Sequence, residues 1–255
     1  MEYELINSLV TYISRYTPIV VSIAVLVFGI LITVDKTKST KMLGISFIFS
    51  AIGQFVSGFF MIAIHFLKET EVVNIMTPCN ILNVITTCLS LLFFCFFFHK
   101  NYGKKLIYLP MFLIPAIGWF ADRLVIFLFV RIIAKSSGQI LWVSMISDID
   151  NQIISTAISV IIIITFLKNK KIEKVIPEAW LIRVIMLAFG WFQTVITVFI
   201  YLHMKSIGTT VGGMDYLLHY TISSLFTILF PLYVLIKVFK TSKEKEQEEP
   251  YVSNI

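Results

Sequence analysis

Polar and ionic side chains interrupt several long apolar segments of this chain, and their chemistry is that of ligand binding. Gln54, Asn83 and Gln193 lie near the middle of such segments and carry amides that both donate and accept hydrogen bonds. Asp122 and Arg123 are the one adjacent pair of opposite charges inside an apolar segment. An unpaired polar group in hydrocarbon costs several kcal/mol. These side chains should therefore face one another or a water-filled cleft.

Helical spacing groups other polar residues with these amides. Residues three or four apart share a helix face, which places Asn80, Asn83 and Thr87 together. For the Ser and Thr residues, hydrogen bonding between neighbouring helices is the more ordinary explanation. The predicted ligand-binding residues are Gln54, Asn80, Asn83, Thr87, Asp122, Arg123, Gln193, His219, Ser223 and Thr227.

Two interpretations of the Asp122–Arg123 pair remain open. A charge at the bilayer centre costs about 2.5–3.5 kcal/mol, so a buried pair indicates function. If the apolar segment begins at Leu106, both residues lie in its last turn, and Arg123 extends to the outer headgroups. Adjacent residues point about 100° apart on a helix, so the two do not pair with each other.

Catalytic and metal-binding patterns are missing from the sequence. His65, His203 and three aspartates lie near the ends of apolar segments, but without the close spacing of metal ligands. There is no HExxH, GxSxG or Walker-type loop. We predict that the protein is not an enzyme and that it holds no metal and no cofactor.

The elements that must position these residues are seven apolar segments. Crossing the hydrocarbon core takes about 17–25 residues in a helix, and each segment is near or above that length. With 58% hydrophobic and 14% charged residues, the 255-residue chain would expose far too much apolar surface as a soluble domain. The sequence predicts an all-α integral membrane protein with seven transmembrane helices. They are Thr17–Val34, Met42–Leu67, Ile75–Phe98, Leu106–Val130, Asn151–Leu167, Ala179–Met204 and Tyr216–Ile236.

Basic residues orient these segments. Fourteen lysines lie on one set of alternating loops and the C-terminal tail, against five Lys and Arg residues on the other side. The positive-inside rule then places the N-terminus outside and the C-terminus in the cytoplasm, and we expect the plasma membrane. The net charge of +6 lies beside the bilayer, so nucleic acid is not a predicted partner. Three regions are predicted: an extracellular amphipathic segment (1–16), a transmembrane domain (17–238) and a disordered charged tail (239–255).

Two further patterns concern the arrangement of the spans. A shift of 137 residues places span 2 on span 6 and span 3 on span 7, with Ala51, Gly53 and Phe55 falling on identical residues. Such a repeat would give a 3+1+3 plan, which some transporters use. The cytoplasmic half is predicted to be dry, because 91–98 reads LLFFCFFF.

Several short motifs resemble those of the microbial (type I) rhodopsins. Thr86-Thr87 followed by leucines in span 3 is similar to the Thr-Thr-Pro-Leu-Leu run of that family, and Ala121-Asp122 and Ile154-Ser155-Thr156-Ala157 have counterparts. The resemblance implies a seven-helix scaffold with an outside N-terminus. Thr227 falls where the family has its retinal lysine, and no lysine lies inside any span. Covalently bound retinal and light-driven pumping are therefore not implied.

These observations predict a receptor-like membrane sensor that binds an unknown small ligand in a polar cleft open to the outside. It would act through another membrane or cytoplasmic protein. A facilitator of small solutes is the first alternative, because the internal repeat suits alternating access. An accessory subunit of a larger membrane complex is the second.

Overall fold

The computed structural model is helical at almost all of the residues that it describes. These are 2–34, 40–63, 69–102, 117–118, 120–121, 124–125, 128, 137–168, 176, 178–207, 221–222 and 224–248. The helices within them are α1 (Glu2–Val34), α2 (Lys41–Ala63), α3 (Glu69–Tyr102), α4 (Ser137–Lys168), α5 (Ala179–Ser206) and α6 (Leu229–Glu248). No strand occurs in these ranges. The predicted all-α class is confirmed for this part of the chain.

Within the described ranges, five helices contain windows long and apolar enough to cross a membrane. They are Tyr16–Val34, Lys41–Phe60, Ile81–Asn101, Asp148–Lys168 and Ala179–Ser206, and they match predicted spans 1, 2, 3, 5 and 6. Most of predicted span 4 lies outside the described residues, and so do the first residues of predicted span 7. The total of seven spans therefore stays a prediction.

The distribution of side chains in these helices is that of a membrane protein. On α1, the exposed face carries Val20, Ile23 and Val27, each more than two-fifths exposed. Polar side chains such as Ser22 and Thr86 are buried instead. Lipid accepts exposed aliphatic groups but offers polar groups no hydrogen bonds, so the polar side chains turn inward. The protein is therefore a membrane-embedded helical bundle.

The helices pack mainly as sequential neighbours. α1 packs on α2, α2 on α3, and α4 on α5, while α6 contacts both α1 and α5. Aromatic rings join the elements near one end of the bundle: the centroids of Phe98 and Phe166 are 5.4 Å apart, and those of Phe47 and Phe230 are 5.7 Å apart. We call this end, where α2 starts at Lys41 and α4 stops at Lys168, the lysine end.

Three helices are longer than the spans predicted within them. α1, α3 and α4 have 33, 34 and 32 residues. At about 1.5 Å per residue each is close to 50 Å long, against about 30 Å of hydrocarbon. α3 begins at Glu69 and α4 at Ser137, so both extend beyond their apolar windows. The predicted amphipathic segment 1–16 is helical from Glu2 and continues directly into the first span.

The C-terminal tail differs from its prediction. Residues 239–255 were expected to be disordered, but α6 continues to Glu248, and 249–255 lie outside the described residues. Lys and Glu have good helix propensity, and Lys240 lies four residues before Glu244, which favours the helix. A high charge content was therefore insufficient evidence for disorder at 239–248.

Candidate ligand-binding site

A polar stripe runs along the face of α2 that packs on α3. Its members are spaced by four, four and three residues, which keeps them on one side of the helix. The Ser46 hydroxyl donates to the Ser90 carbonyl oxygen at 2.8 Å. At the other end of the stripe, Asn83 Nδ2 donates to Ser57 Oγ at 3.1 Å. The stripe consists of Ser46, Ser50, Gln54 and Ser57.

Between α1, α2, α3 and the segment before α6 lies a cavity of about 460 Å³, which we call the central cavity. Thr227 Oγ1 donates to the Ser224 carbonyl oxygen at 2.7 Å and lies 3.4 Å from Gln54 Oε1. A hydroxyl has one hydrogen, so the shorter bond takes it and the contact with Gln54 is weak. The Gln54 amide can thus form hydrogen bonds with a bound ligand. The polar lining is Ser50, Gln54, Ser57, Asn83, Thr87, Ser90, Ser224 and Thr227.

A second cavity, of about 290 Å³, adjoins the central cavity and extends towards the lysine end. Ser50, Thr87, Ser90 and Leu91 line both. We call the second one the arginine cavity, because Arg183 is the only charged residue among its described lining. The other polar lining residues are Ser46, Ser155 and Ser159.

Arg183 has an unusual environment for a cation. Its Cζ atom lies 4.1 Å from the ring centroid of Phe230 and 5.4 Å from that of Phe94. Its Nε is buried and has no hydrogen-bond partner among the described residues. Desolvating an unpaired ion costs several kcal/mol, whereas a cation–π contact returns about 0.5–2 kcal/mol. The cation–π contacts with the two rings therefore do not offset the free-energy cost of burying this charge.

The structure brings together four of the ten predicted ligand-binding residues. Gln54, Asn83, Thr87 and Thr227 all line the central cavity. Gln193 does not: it is buried on α5, its Oε1 has no partner among the described residues, and it lines neither cavity. Outside the described residues lie Asp122, Arg123, His219, Ser223 and the side chain of Asn80.

Sequence reasoning missed the arginine cavity. At about 1.5 Å per residue, Ser46 is about 8 Å along α2 from Lys41, and Arg183 about 6 Å from the start of α5. Both therefore lie in the half that was predicted to be dry, and that expectation is wrong at these positions. The prediction was based on the apolar run 91–98, which belongs to one helix, α3. The neighbouring helices contribute hydroxyl groups to the same half of the bundle. The four-residue spacing of Ser155 and Ser159, and an arginine inside an apolar span, were the available signals.

At the opposite end, polar contacts join α4 to α5. Tyr201 donates its hydroxyl to Asp148 Oδ2 at 3.0 Å, and Trp191 Nε1 donates to Thr156 Oγ1 at 3.0 Å. Lys205 Nζ lies 4.5 Å from the ring centroid of Trp142. These bonds satisfy polar groups between two packed helices, which is an interhelical role.

The chemistry of both cavities is hydrogen bonding together with one positive charge. Within the described ranges, no three His, Cys, Asp or Glu side chains are grouped to hold a metal ion. Comparison of the chain with protein-family models, with curated proteins and with solved structures gives no match. The fold and the cavities define the class as a helical membrane protein with a polar interior.

Proposed function

We propose that this protein is a seven-helix, receptor-like sensor that binds a small polar ligand in the central cavity. The observation that carries the proposal is the concentration of amides and hydroxyls around one space inside an apolar bundle. Its volume of about 460 Å³ is within the range of small-molecule sites, about 300–1,000 Å³.

A break in the helix beside the cavity supports signalling. Thr227 and Ile228 form a turn, with Thr227 N donating to the Ser224 oxygen and Ile228 N to the Leu225 oxygen, both at 3.2 Å. Pro231 has no N–H to bond the Thr227 carbonyl four residues earlier. A ligand contacting Thr227 would therefore act on the turn that precedes α6. Movement of α6 is our proposed output to a membrane or cytoplasmic partner.

The proposed orientation has the N-terminus outside, the C-terminus in the cytoplasm and the protein in the plasma membrane. It is supported by the lysines at the end shared by α2, α3 and α4. A single cysteine replacing Lys100 in a cysteine-free variant should react with an impermeant maleimide only after cells are permeabilised. Reaction in intact cells would reverse the orientation.

The microbial-rhodopsin resemblance contributes to the proposal only as a suggested helix arrangement. Thr227, at the position of that family's retinal lysine, lines the central cavity and carries a hydroxyl. A hydrogen-bonded ligand suits this side chain, and a covalent Schiff base does not.

Asn83→Leu tests the proposed site. We expect a ligand found by thermal-shift screening to bind this variant at least about tenfold more weakly, because a lost hydrogen bond costs about 1 kcal/mol and an unsatisfied ligand group costs more. Asn83 also bonds Ser57, so each ligand shift is measured against the melting temperature of the same variant without ligand.

Asn101→Leu is the matched control. Asn101 is on the same helix, and its Nδ2 donates to the Phe97 carbonyl oxygen at 2.8 Å, away from both cavities. It should bind the ligand as the wild type does. Equal affinity in wild type, Asn83→Leu and Asn101→Leu would contradict binding in the central cavity.

A facilitator of small solutes is the second candidate, favoured by the adjoining cavities. Together they form a polar region from Asn83 to Arg183, which covers part of the path that a solute would need. Uptake of the screened ligand into proteoliposomes separates the two functions. Saturable uptake that Asn83→Leu abolishes would replace the sensor with a facilitator.

A further inference from the structure

We propose that the arginine cavity binds the oxyanion group of a small anionic ligand, with Arg183 as the residue that holds the charge. This inference rests on the ligand-binding function proposed above and specifies the chemical class of the ligand. An oxyanion, such as a carboxylate or a phosphate, accepts several hydrogen bonds and matches the planar fork of a guanidinium.

The geometry of Arg183 leaves its donors available. Its contacts with Phe230 and Phe94 are made to the ring faces, at 4.1 and 5.4 Å from Cζ. All N–H donors of a guanidinium lie in its plane and point outward from its edge. The buried Nε has no hydrogen-bond partner among the described residues, and the side chain lines the cavity. The aromatic rings therefore hold the cation without using its donors.

The hydroxyls around the cavity complete the site. Ser50, Ser155 and Ser159 line it. Hydroxyl hydrogens rotate freely, so these serines can donate to an anion. Among the described lining residues there is no carboxylate that would compete for Arg183 or repel an anion. The positive charge in this cavity has no negative counterpart among the described residues, and a bound anion would provide it.

The volume of the arginine cavity limits the size of the ligand that it can hold. About 290 Å³ is at the small end of ligand pockets, and it suits a compact anion better than an acyl chain. The oxyanion has two possible sources, a free small anion or the headgroup of an anionic lipid that reaches in from the lysine end. Both present the same chemistry to Arg183.

Anion titrations of the purified full-length protein in phosphatidylcholine nanodiscs test the inference. Sodium acetate, benzoate, succinate and phosphate are compared with sodium chloride at matched ionic strength, and the melting temperature is the readout. At least one oxyanion should raise the melting temperature above the chloride value. Its apparent Kd should rise at least about tenfold in Arg183→Met, since hydrogen bonds to charged groups are the stronger kind.

Lys205→Met is the matched control, because Lys205 also lies over an aromatic ring but outside both cavities. Its Kd should stay within about twofold of wild type. Arg183→Lys keeps the charge but loses the fork and should be intermediate. If Arg183→Met does not fold, Arg183→Lys and Ser159→Ala carry the test, each with an expected threefold or greater loss of affinity.

A second arm uses nanodiscs containing phosphatidylglycerol. Arg183-dependent stabilisation by this lipid, with no response to free anions, would identify a headgroup as the source of the oxyanion. The inference is overturned if neither a free oxyanion nor phosphatidylglycerol stabilises the protein more than the chloride and phosphatidylcholine reference, or if Arg183→Met and wild type respond equally. The two proposals can fail separately. If no oxyanion binds, but a neutral ligand binds wild type and loses affinity in Asn83→Leu, the proposed function survives and the anion inference fails.

Discussion

Gly44→Val should destabilise the protein by about 3 kcal/mol, at the upper end of the cost of overpacking. A Cβ atom at Gly44 would lie 2.7 Å from the Gly29 carbonyl oxygen and 2.7 Å from the Thr33 backbone nitrogen. Both are backbone atoms of α1, so they cannot rotate away, and the two helices would have to separate. A drop of about 6–12 °C in melting temperature follows for a protein of this size.

Gly118→Val is the control for this substitution. Among the described residues, a Cβ atom at Gly118 meets only the Ile154 Cδ1 atom, at 3.8 Å, which is an ordinary contact with the end of a flexible side chain. Its melting temperature should stay close to that of wild type. Equal losses for the two variants would show that valine itself, and not the close approach of α1 and α2, causes the effect.

Phe230→Ala should cost about 2–3 kcal/mol, from about 24 cal/mol per Å³ over a void of roughly 100 Å³. Phe230 is 1% exposed, and its ring meets those of Phe47, Phe94 and Phe166 at centroid distances of 5.7, 6.3 and 6.4 Å. In a bilayer, packing rather than transfer from water supplies most of this stability. The variant also removes the nearer of the two rings that hold Arg183.

Phe239→Ala, on the same helix, provides the comparison. Phe239 is 42% exposed, so truncation removes few contacts and should change stability by about 0.5 kcal/mol or less. Chemical denaturation in mixed micelles measures both variants. A loss for Phe239→Ala as large as that for Phe230→Ala would mean that the aromatic cluster does not hold the lysine end together.

Arg183 shows why part of the site could not be predicted. Its position in an apolar span is visible in the sequence. Its environment, however, depends on contacts with aromatic rings of α3 and α6, which are about 90 and 50 residues away along the chain. Helical spacing relates residues three or four apart and carries no information on which faces of distant helices meet. Asp122, by contrast, was chosen for its charge alone, and its environment lies outside the described residues.

The amino-acid sequence by itself determined the membrane class, the positions of five spans and the polar faces that contain Gln54 and Asn83. These depend on composition and on local periodicity, which are properties of single segments. Only the tertiary structure decided that the stripe on α2 lines two adjoining cavities together with residues of α3 and α4, and that Arg183 enters one of them with no described hydrogen-bond partner for its Nε. The physical reason is that lipid solvates all apolar faces equally, so packing between helices selects which faces turn inward.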